Sequence, residues 1–423
     1  MRTLSVIKAD VGSNAGHLQP TDEVVRAVEE YVAGAEFLDD VLVFTVGDDI
    51  DVLLSHTDGE DSDRVHRLVW EAFEAGTAVA DDQGLYGAGQ DLLEDACSGN
   101  VRGLGPGVCE LTFEEREAEP VLVFGADKTE PGAFNQPLYT AFADPRYTTG
   151  LLLKDTIHQG FTFEVMDLEH TDDGERTIRL DVPEDAWRLA ALLMEPHRFG
   201  IKEIYSRATG ASVASVSTQK LRNVAGEYVG KDDPVALVRT QADFPSPGEV
   251  LQLYADPPFV AGAMRGSHHG VLYPVTSAET EIPSYFDGPP LVTALGMVVE
   301  DGQFSEPVYP FDMSFWDAVR RDAARDFREF RQRQGTFGPG TVEAAELEYG
   351  GWTDIVDGLE DRWDVVGGAG DRRRLTLVPG VCNARRISSV LSTEVAVLVL
   401  AGKAVVQNGS QGLIRRISII ALV

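Results

Sequence analysis

The chain is short of cysteine, of lysine and of long apolar runs, and each shortage narrows what it can be. Three cysteines in 423 residues (Cys97, Cys109, Cys382) give neither an even disulfide framework nor a zinc-type spacing, which fits a reducing compartment. No uninterrupted apolar stretch approaches the roughly 20 residues that span a bilayer. The opening MRTLSVIKADVGS also lacks the charged-then-apolar layout of a signal peptide, so the expected location is cytoplasmic. Positive charge is scarce: 36 Lys plus Arg stand against 69 Asp plus Glu, a formal net charge of -33. That excess is spread over the first 370 residues, and a fixed negative surface repels nucleic acid and anionic lipid, so neither is an expected partner. Only seven of the basic residues are lysines (Lys8, Lys128, Lys154, Lys202, Lys220, Lys231, Lys403). An acid-rich, lysine-poor surface suits high salt, where screening relieves self-repulsion, and a halophilic source is expected. In so lysine-poor a chain, a lysine inside a Gly/Asp motif is hard to dismiss as surface filler.

The hydrophobic content, 43%, suffices for a large globular core. Leu4 to Ala9 reads as a strand running into a polar turn, and Val24, Val25, Val28, Tyr31 and Val32 follow at helical spacing, with Thr21 as the expected cap. Val41 to Val46 and Ile50 to Leu54 read as a hairpin whose turn, Gly47-Asp48-Asp49, presents two carboxylates. A helix is expected from about Asp63 to Ala80 and a short one around Asp91 to Ala96. Strands are expected at Leu111 to Phe113, Val121 to Ala126, Leu151 to Leu153, Phe161 to Met166, Thr177 to Leu180 and Ile201 to Tyr205, interrupted by a helix from Glu184 to Met194. Without a strict βαβ rhythm, an α/β sandwich of mainly antiparallel sheets is favoured over a doubly wound sheet. From Asp371 onward the charge reverses, with eight basic residues against two acidic, and no activity is assigned to that tail.

Five loops carry hard oxygen or imidazole ligands beside glycine or at strand ends: Asp10 to His17, Gly47-Asp48-Asp49, Gly89-Gln90, Ala126-Asp127-Lys128 and Gly230-Lys231-Asp232-Asp233. Carboxylates in such number suit Mg²⁺, which takes oxygen ligands and bridges them to phosphates. Taken alone, each Asp pair in so acidic a chain reads as a solvated turn, and His17 as a loop or core histidine. Gly99-Asn100-Val101-Arg102-Gly103 is either a phosphate cradle built from backbone N–H groups or an irregular turn. Lys231 is the most informative residue. An amine attacks a ketone only when neutral, yet the flanking Asp232 and Asp233 favour its cation. Bound divalent metal would reverse that push. Tyr228, three residues earlier, is placed to manage protons.

Read in order, IKADVGS with GH, GDD, GLYGAGQDLL, SGNVRGLGPG, ADKTEPGAFN, YVGKDDPVA, MRGSHHG and FDGPP closely resemble the bifunctional fructose-1,6-bisphosphate aldolase/phosphatase family of archaea and deep-branching bacteria, from about residue 3 to about residue 363. The resemblance implies a single catalytic domain over residues 1–370, built as a four-layer αββα sandwich, with residues 371–423 a non-catalytic tail. It implies a homo-octamer acting on sugar phosphates. It also implies one centre that condenses dihydroxyacetone phosphate with glyceraldehyde 3-phosphate through a lysine Schiff base, then hydrolyses the 1-phosphate with several Mg²⁺ ions. Lys231 matches the Schiff-base lysine and Tyr228 the proton donor or acceptor. Asp10, His17, Asp48, Asp49, Gln90, Asp127, Asp232 and Asp233 match the metal positions. Tyr86, Gly99, Asn100, Lys128, Gln241, Arg265, Asp287 and Tyr349 match substrate positions, as does His17 again. The sequence around Tyr349 departs from the family pattern, which leaves open a phosphatase that has lost the aldol step.

Overall fold

The computed structural model describes residues 1–14, 18–92, 105–170, 175–218, 231–260, 270–276, 289–334, 355–366, 396–400 and 403–407. The chain opens with β1 (Arg2–Asp10), α1 (Asp22–Val32), the hairpin β2 (Asp40–Val46) and β3 (Asp49–His56), α2 (Asp63–Gln83), β4 (Gly107–Phe113) and β5 (Glu119–Asp127). Next come α3 (Asn135–Ala143), α4 (Gly150–Leu153), β6 (Phe161–Asp167), β7 (Glu175–Val182), α5 (Ala186–Leu193), β8 (Phe199–Ser206), β9 (Ser212–Val216) and β10 (Val235–Arg239). The remainder is α6 (Pro247–Leu251), β11 (Phe259–Val260), β12 (Gly270–Val271), β13 (Tyr273–Pro274), β14 (Leu291–Glu300), β15 (Gln303–Phe304), α7 (Trp316–Gln334) and β16 (Asp364–Val366).

Two sheets result. The small one runs β2-β3-β1-β4 and is antiparallel throughout. The large one runs β13-β14-β5-β10-β9-β8-β6-β7-β16 with β15 beside β14, and only its β13–β14 pair is parallel. Period-two alternation explains the layering. Ile7, Ala9, Ile50, Val52 and Leu54 face α1 and α2 on one side of the small sheet. Leu4, Val6, Leu53, Cys109 and Leu111 face Val121, Val123, Leu237 and Leu295 of the large sheet on the other. Phe124, Phe163 and Val238 on the far side of the large sheet pack under Leu138 of α3, Leu189 of α5, Val250 of α6 and Trp316 of α7. Helices, sheet, sheet, helices is therefore the order of layers, within the compact unit Met1–Ala96 plus Asn100–Arg372. The second unit, Cys97–Gly99 with Arg373–Val423, contributes the hairpin of β17 (Ala396–Leu400) and β18 (Lys403–Gln407).

Local signals act as the sequence indicates, with two exceptions. Ser62 caps α2 by accepting the Val65 N–H at 3.4 Å, and Gly84 ends it at φ 68°. Thr21 stands at the N-cap of α1, but its hydroxyl donates to Gln83 Oε1 at 2.7 Å instead of capping. Leu151 to Leu153, expected as a strand, is the short helix α4. Leucine is not β-branched, and Leu152 and Leu153 are exposed at 61% and 82%, so no sheet partner claims the run. Of the helix expected around Asp91 to Ala96, the described part is a single 3₁₀ turn, Gln90–Leu92.

Candidate active site

Four chain segments end at one edge of the inter-sheet layer: the end of β1, the turn between β2 and β3, the end of β5, and the turn that enters β10. Asp10 pairs with Asp49 in the β1–β3 register, and Gly125 of β5 pairs with Val235 at the start of β10. Gly47 joins the sheets. Its φ is 56°, and a Cβ there would stand 1.5 Å from Asp127 Oδ2, so only glycine lets the β2–β3 turn close on the carboxylate of β5.

Asp48, Asp49 and Asp127 are buried, and one oxygen from each lies within 4.8 Å of the others. Asp10 and Gln90 lie next to each other: a Cβ on Gly87 would be 3.4 Å from Gln90 Oε1 and 3.6 Å from Asp10 Oδ2. Asp233 sits at φ 51°, and its Oδ1 accepts the Thr129 N–H at 2.6 Å while its own N–H donates to the Thr129 carbonyl at 2.9 Å. Asp232 Oδ1 is 2.6 Å from the ammonium of Lys231. Lys128, at φ 61°, reaches back to Asp48 and to Asp127, the latter at 2.8 Å.

The structure adds three buried groups that motif reading passed over. Lys8, fully buried, donates to Asp49 Oδ2 and to the Asp233 carbonyl, each at 2.5 Å. Asp91, 2% exposed, accepts the N–H of Asp10 at 3.0 Å and of Gly105 at 3.1 Å, and its Oδ2 is 3.1 Å from Lys231 Nζ. Asp51 is fully buried beside Lys8, and neither of its oxygens has a hydrogen-bond partner among the described residues. The signals were present: a lysine inside an apolar strand of a lysine-poor chain, an aspartate directly after Gln90, and an aspartate two residues beyond Asp49. Three of the chain's seven lysines thus converge on this one place.

Crowding sets the electrostatics. Burial pushes Asp10 and Asp127 well above the ordinary carboxylate range; at Asp10 neighbouring carboxylates add to the push, and at Asp127 Lys128 opposes it. Asp49 is pushed up to about 7 by burial, against the pull of Lys8, and Asp232 to about 8 by burial, against the pull of Lys231. Asp51 rises to about 8, chiefly through burial. Burial works to lower Lys231, yet Asp232 and Asp91 outweigh it and hold the ammonium well above the ordinary lysine range. Such a set of hard oxygens, crowded and only partly balanced by lysines, fits divalent cations.

Asp10, Asp48, Asp49, Gln90, Asp127, Lys128, Lys231, Asp232 and Asp233 are therefore gathered together. Tyr86 is on an adjoining loop, its backbone paired with Ser13 and its side chain half exposed. Gln241 lies elsewhere. It follows β10 beyond Arg239, which pairs with Val121 at the far end of β5, and its carbonyl accepts from Arg116 at 3.0 Å. The antiparallel run of β10 carries it away from Asp127. His17, Gly99, Asn100, Tyr228, Arg265, Asp287 and Tyr349 fall outside the described residues.

A family model described as fructose-1,6-bisphosphatase matches residues 1–364. A protein of Thermus thermophilus named fructose-1,6-bisphosphate aldolase/phosphatase is 51% identical over 360 residues, covering 85% of this chain and 98% of its own length. Proteins of the same name from Methanothermobacter marburgensis and Methanocaldococcus jannaschii are 44% identical over 366 residues and 46% identical over 363. They cover 86% and 85% of this chain, and 98% and 92% of their own lengths.

Proposed function

The chain belongs to the fructose-1,6-bisphosphatase family, and from that we infer that it is a bifunctional fructose-1,6-bisphosphate aldolase/phosphatase of gluconeogenesis. It condenses dihydroxyacetone phosphate with glyceraldehyde 3-phosphate, then removes the 1-phosphate to leave fructose 6-phosphate. The observation that carries this reading is the buried Lys231 ammonium, 3.1 Å from Asp91 and 2.6 Å from Asp232, on the same rim as the Asp48–Asp49–Asp127 cluster. An amine nucleophile and a cation-binding set serve two steps at one place.

Lys231 supplies the nitrogen that attacks the ketone carbon, and Tyr228 moves the proton of the aldol step. Lys128, tethered to Asp48 and Asp127, holds a phosphate oxygen. Tyr86, Gly99, Asn100, Arg265, Asp287, Tyr349 and His17 hold the sugar phosphate, a role that the position of Gln241 beyond Arg239 does not support. Asp10, His17, Asp48, Asp49, Gln90, Asp127, Asp232 and Asp233 hold Mg²⁺, whose charge, when it is bound, neutralises the phosphoryl oxygens during hydrolysis. Burial of the carboxylates keeps water off the amine and lets positioning supply much of the rate. The catalytic assignment covers residues 1–370, and residues 371–423 take no part. We place the enzyme in the cytoplasm as a homo-octamer of salt-adapted origin; its acidity supports the last point.

The test has two arms. Borohydride reduction with dihydroxyacetone phosphate is expected to leave an adduct on Lys231, located by peptide mass, and fructose 1,6-bisphosphate is expected to release phosphate only when Mg²⁺ is added. Phosphate release without any adduct would leave only the phosphatase.

A further inference from the structure

Of the two carboxylates that flank Lys231, the one at Asp232 belongs to the cation-binding set, and its side chain is 14% exposed. Asp91 differs in every respect. It is 2% exposed, sits in the middle of the 3₁₀ turn Gln90–Leu92, and is fixed from both sides: Oδ1 by the Gly105 N–H and Oδ2 by the Asp10 N–H. Those two donors require only acceptors. Among the described residues, its negative charge is met by the ammonium of Lys231 at 3.1 Å. When a cation takes Asp232, Asp91 remains within ion-pair distance of the lysine.

We propose that Asp91 is the fixed counter-ion of the Lys231 nitrogen throughout formation of the covalent intermediate, an inference that rests on Lys231 being the Schiff-base residue. The balance of the step makes the requirement plain. The ammonium and a ketone give a protonated imine and water: two N–H protons leave with the carbonyl oxygen, a C=N bond replaces the C=O bond, and the nitrogen carries one positive charge before and after. Charge that is equal at both ends gains no rate by itself; what the backbone-held anion supplies is position, keeping the nitrogen in one place from ammonium to iminium. Lys231 cannot drift from it sideways, because its Cγ would lie 2.6 Å from a Cβ on Gly107 and is seated on that bare position.

The experiment compares Asp91→Asn with the wild-type protein in two assays: borohydride trapping of the dihydroxyacetone phosphate adduct on Lys231, and Mg²⁺-dependent phosphate release from fructose 1,6-bisphosphate. Asparagine keeps an acceptor for the Asp10 N–H and removes the charge. The ratio of trapping rate to phosphate release rate is expected to fall by about 10²-fold. Were Asp91 only a brace for Asp10, both rates would fall together, and an unchanged ratio overturns the proposal. Asp91→Glu, which restores the charge at a displaced position, is expected to recover part of the ratio; recovery by Asp91→Ser to the same extent would also overturn it. If thermal unfolding shows that none of the three variants folds, the aspartate belongs to the fold rather than the reaction, and the proposal fails. Absence of an adduct in the wild-type protein would sink the Schiff-base reading itself, a result distinct from all of these.

Discussion

The inter-sheet layer has two ends, and the same strands build both. Along β1 the inward positions read Leu4, Val6, Lys8, Asp10; along β3 they read Leu53, Asp51, Asp49; along β5 they read Val121, Val123, Gly125, Asp127. One end is a dry apolar seam. The other gathers eight aspartates and three lysines: Asp10, Asp49, Asp51, Asp127 and Lys8 continue the same inward strand positions, and the rest stand on the adjoining turns. The difference teaches that the site is not a loop feature laid on a finished scaffold. It is the continuation of the core, kept buried by the apolar end and made unstable by itself through charge crowding.

Removing charge at the polar end should produce the largest effect. Asp127→Ala is expected to lower Mg²⁺-dependent phosphate release by about 10³-fold or more while the metal-free protein still unfolds cooperatively. Loss of folding instead, seen by calorimetry, would show that the two ends are not separable. The converse change is Leu53→Ala at the dry end, where the side chain is fully buried. It is expected to cost about 2–5 kcal/mol in denaturant unfolding and to leave the half-activating Mg²⁺ concentration unmoved at temperatures where the protein is folded. Gly47→Ala lies at the junction. The new Cβ must displace Asp127 from 1.5 Å, and a drop in phosphate release of about 10-fold is expected, larger than its stability cost of about 1 kcal/mol suggests.

The smallest effect is one of pH, and its sign follows from raised carboxylates. Asp49 at about 7 and Asp51 and Asp232 at about 8 bind protons in the folded, metal-free chain, whereas an unfolded aspartate loses its proton near 4. Stability from these groups is present below the unfolded value and is lost as pH rises through 7 to 8. The melting temperature of metal-free protein should therefore fall from pH 5 to pH 8.5, and the rise on adding Mg²⁺ should be greater at the upper pH. A flat profile in scanning calorimetry would mean that the carboxylates are already balanced.

Much of this was legible in the sequence, for a physical reason. Alternation and turn residues announced β1, the β2–β3 hairpin and α2, and strand-end aspartates beside glycine announced the buried carboxylate cluster. What escaped notice has a reason too. Lys8 and Asp51 sit in strand positions where a polar residue resembles an interruption in the pattern, and the partners of Lys8, Asp49 and the Asp233 carbonyl, come from the neighbouring strand and from the turn that enters the other sheet. Asp91 acts through bonds to Asp10 and Gly105, distant in the chain. Gln241 matched a motif, yet chain direction, which no motif encodes, carried it to the other end of β10. The Leu151–Leu153 helix misled because three apolar residues fix no period.

Gly107 has one further consequence. It stands opposite Lys8 in the β1–β4 pairing, and a methyl group there would meet the stems of both Lys231 and Lys8, at 2.6 Å and 3.4 Å. Two amines therefore thread past a single hydrogen atom. Sliding β4 by one residue would bring Pro106 or Val108 to that gap and leave neither amine a path, so the address of Lys231 is written in the alignment of two neighbouring strands.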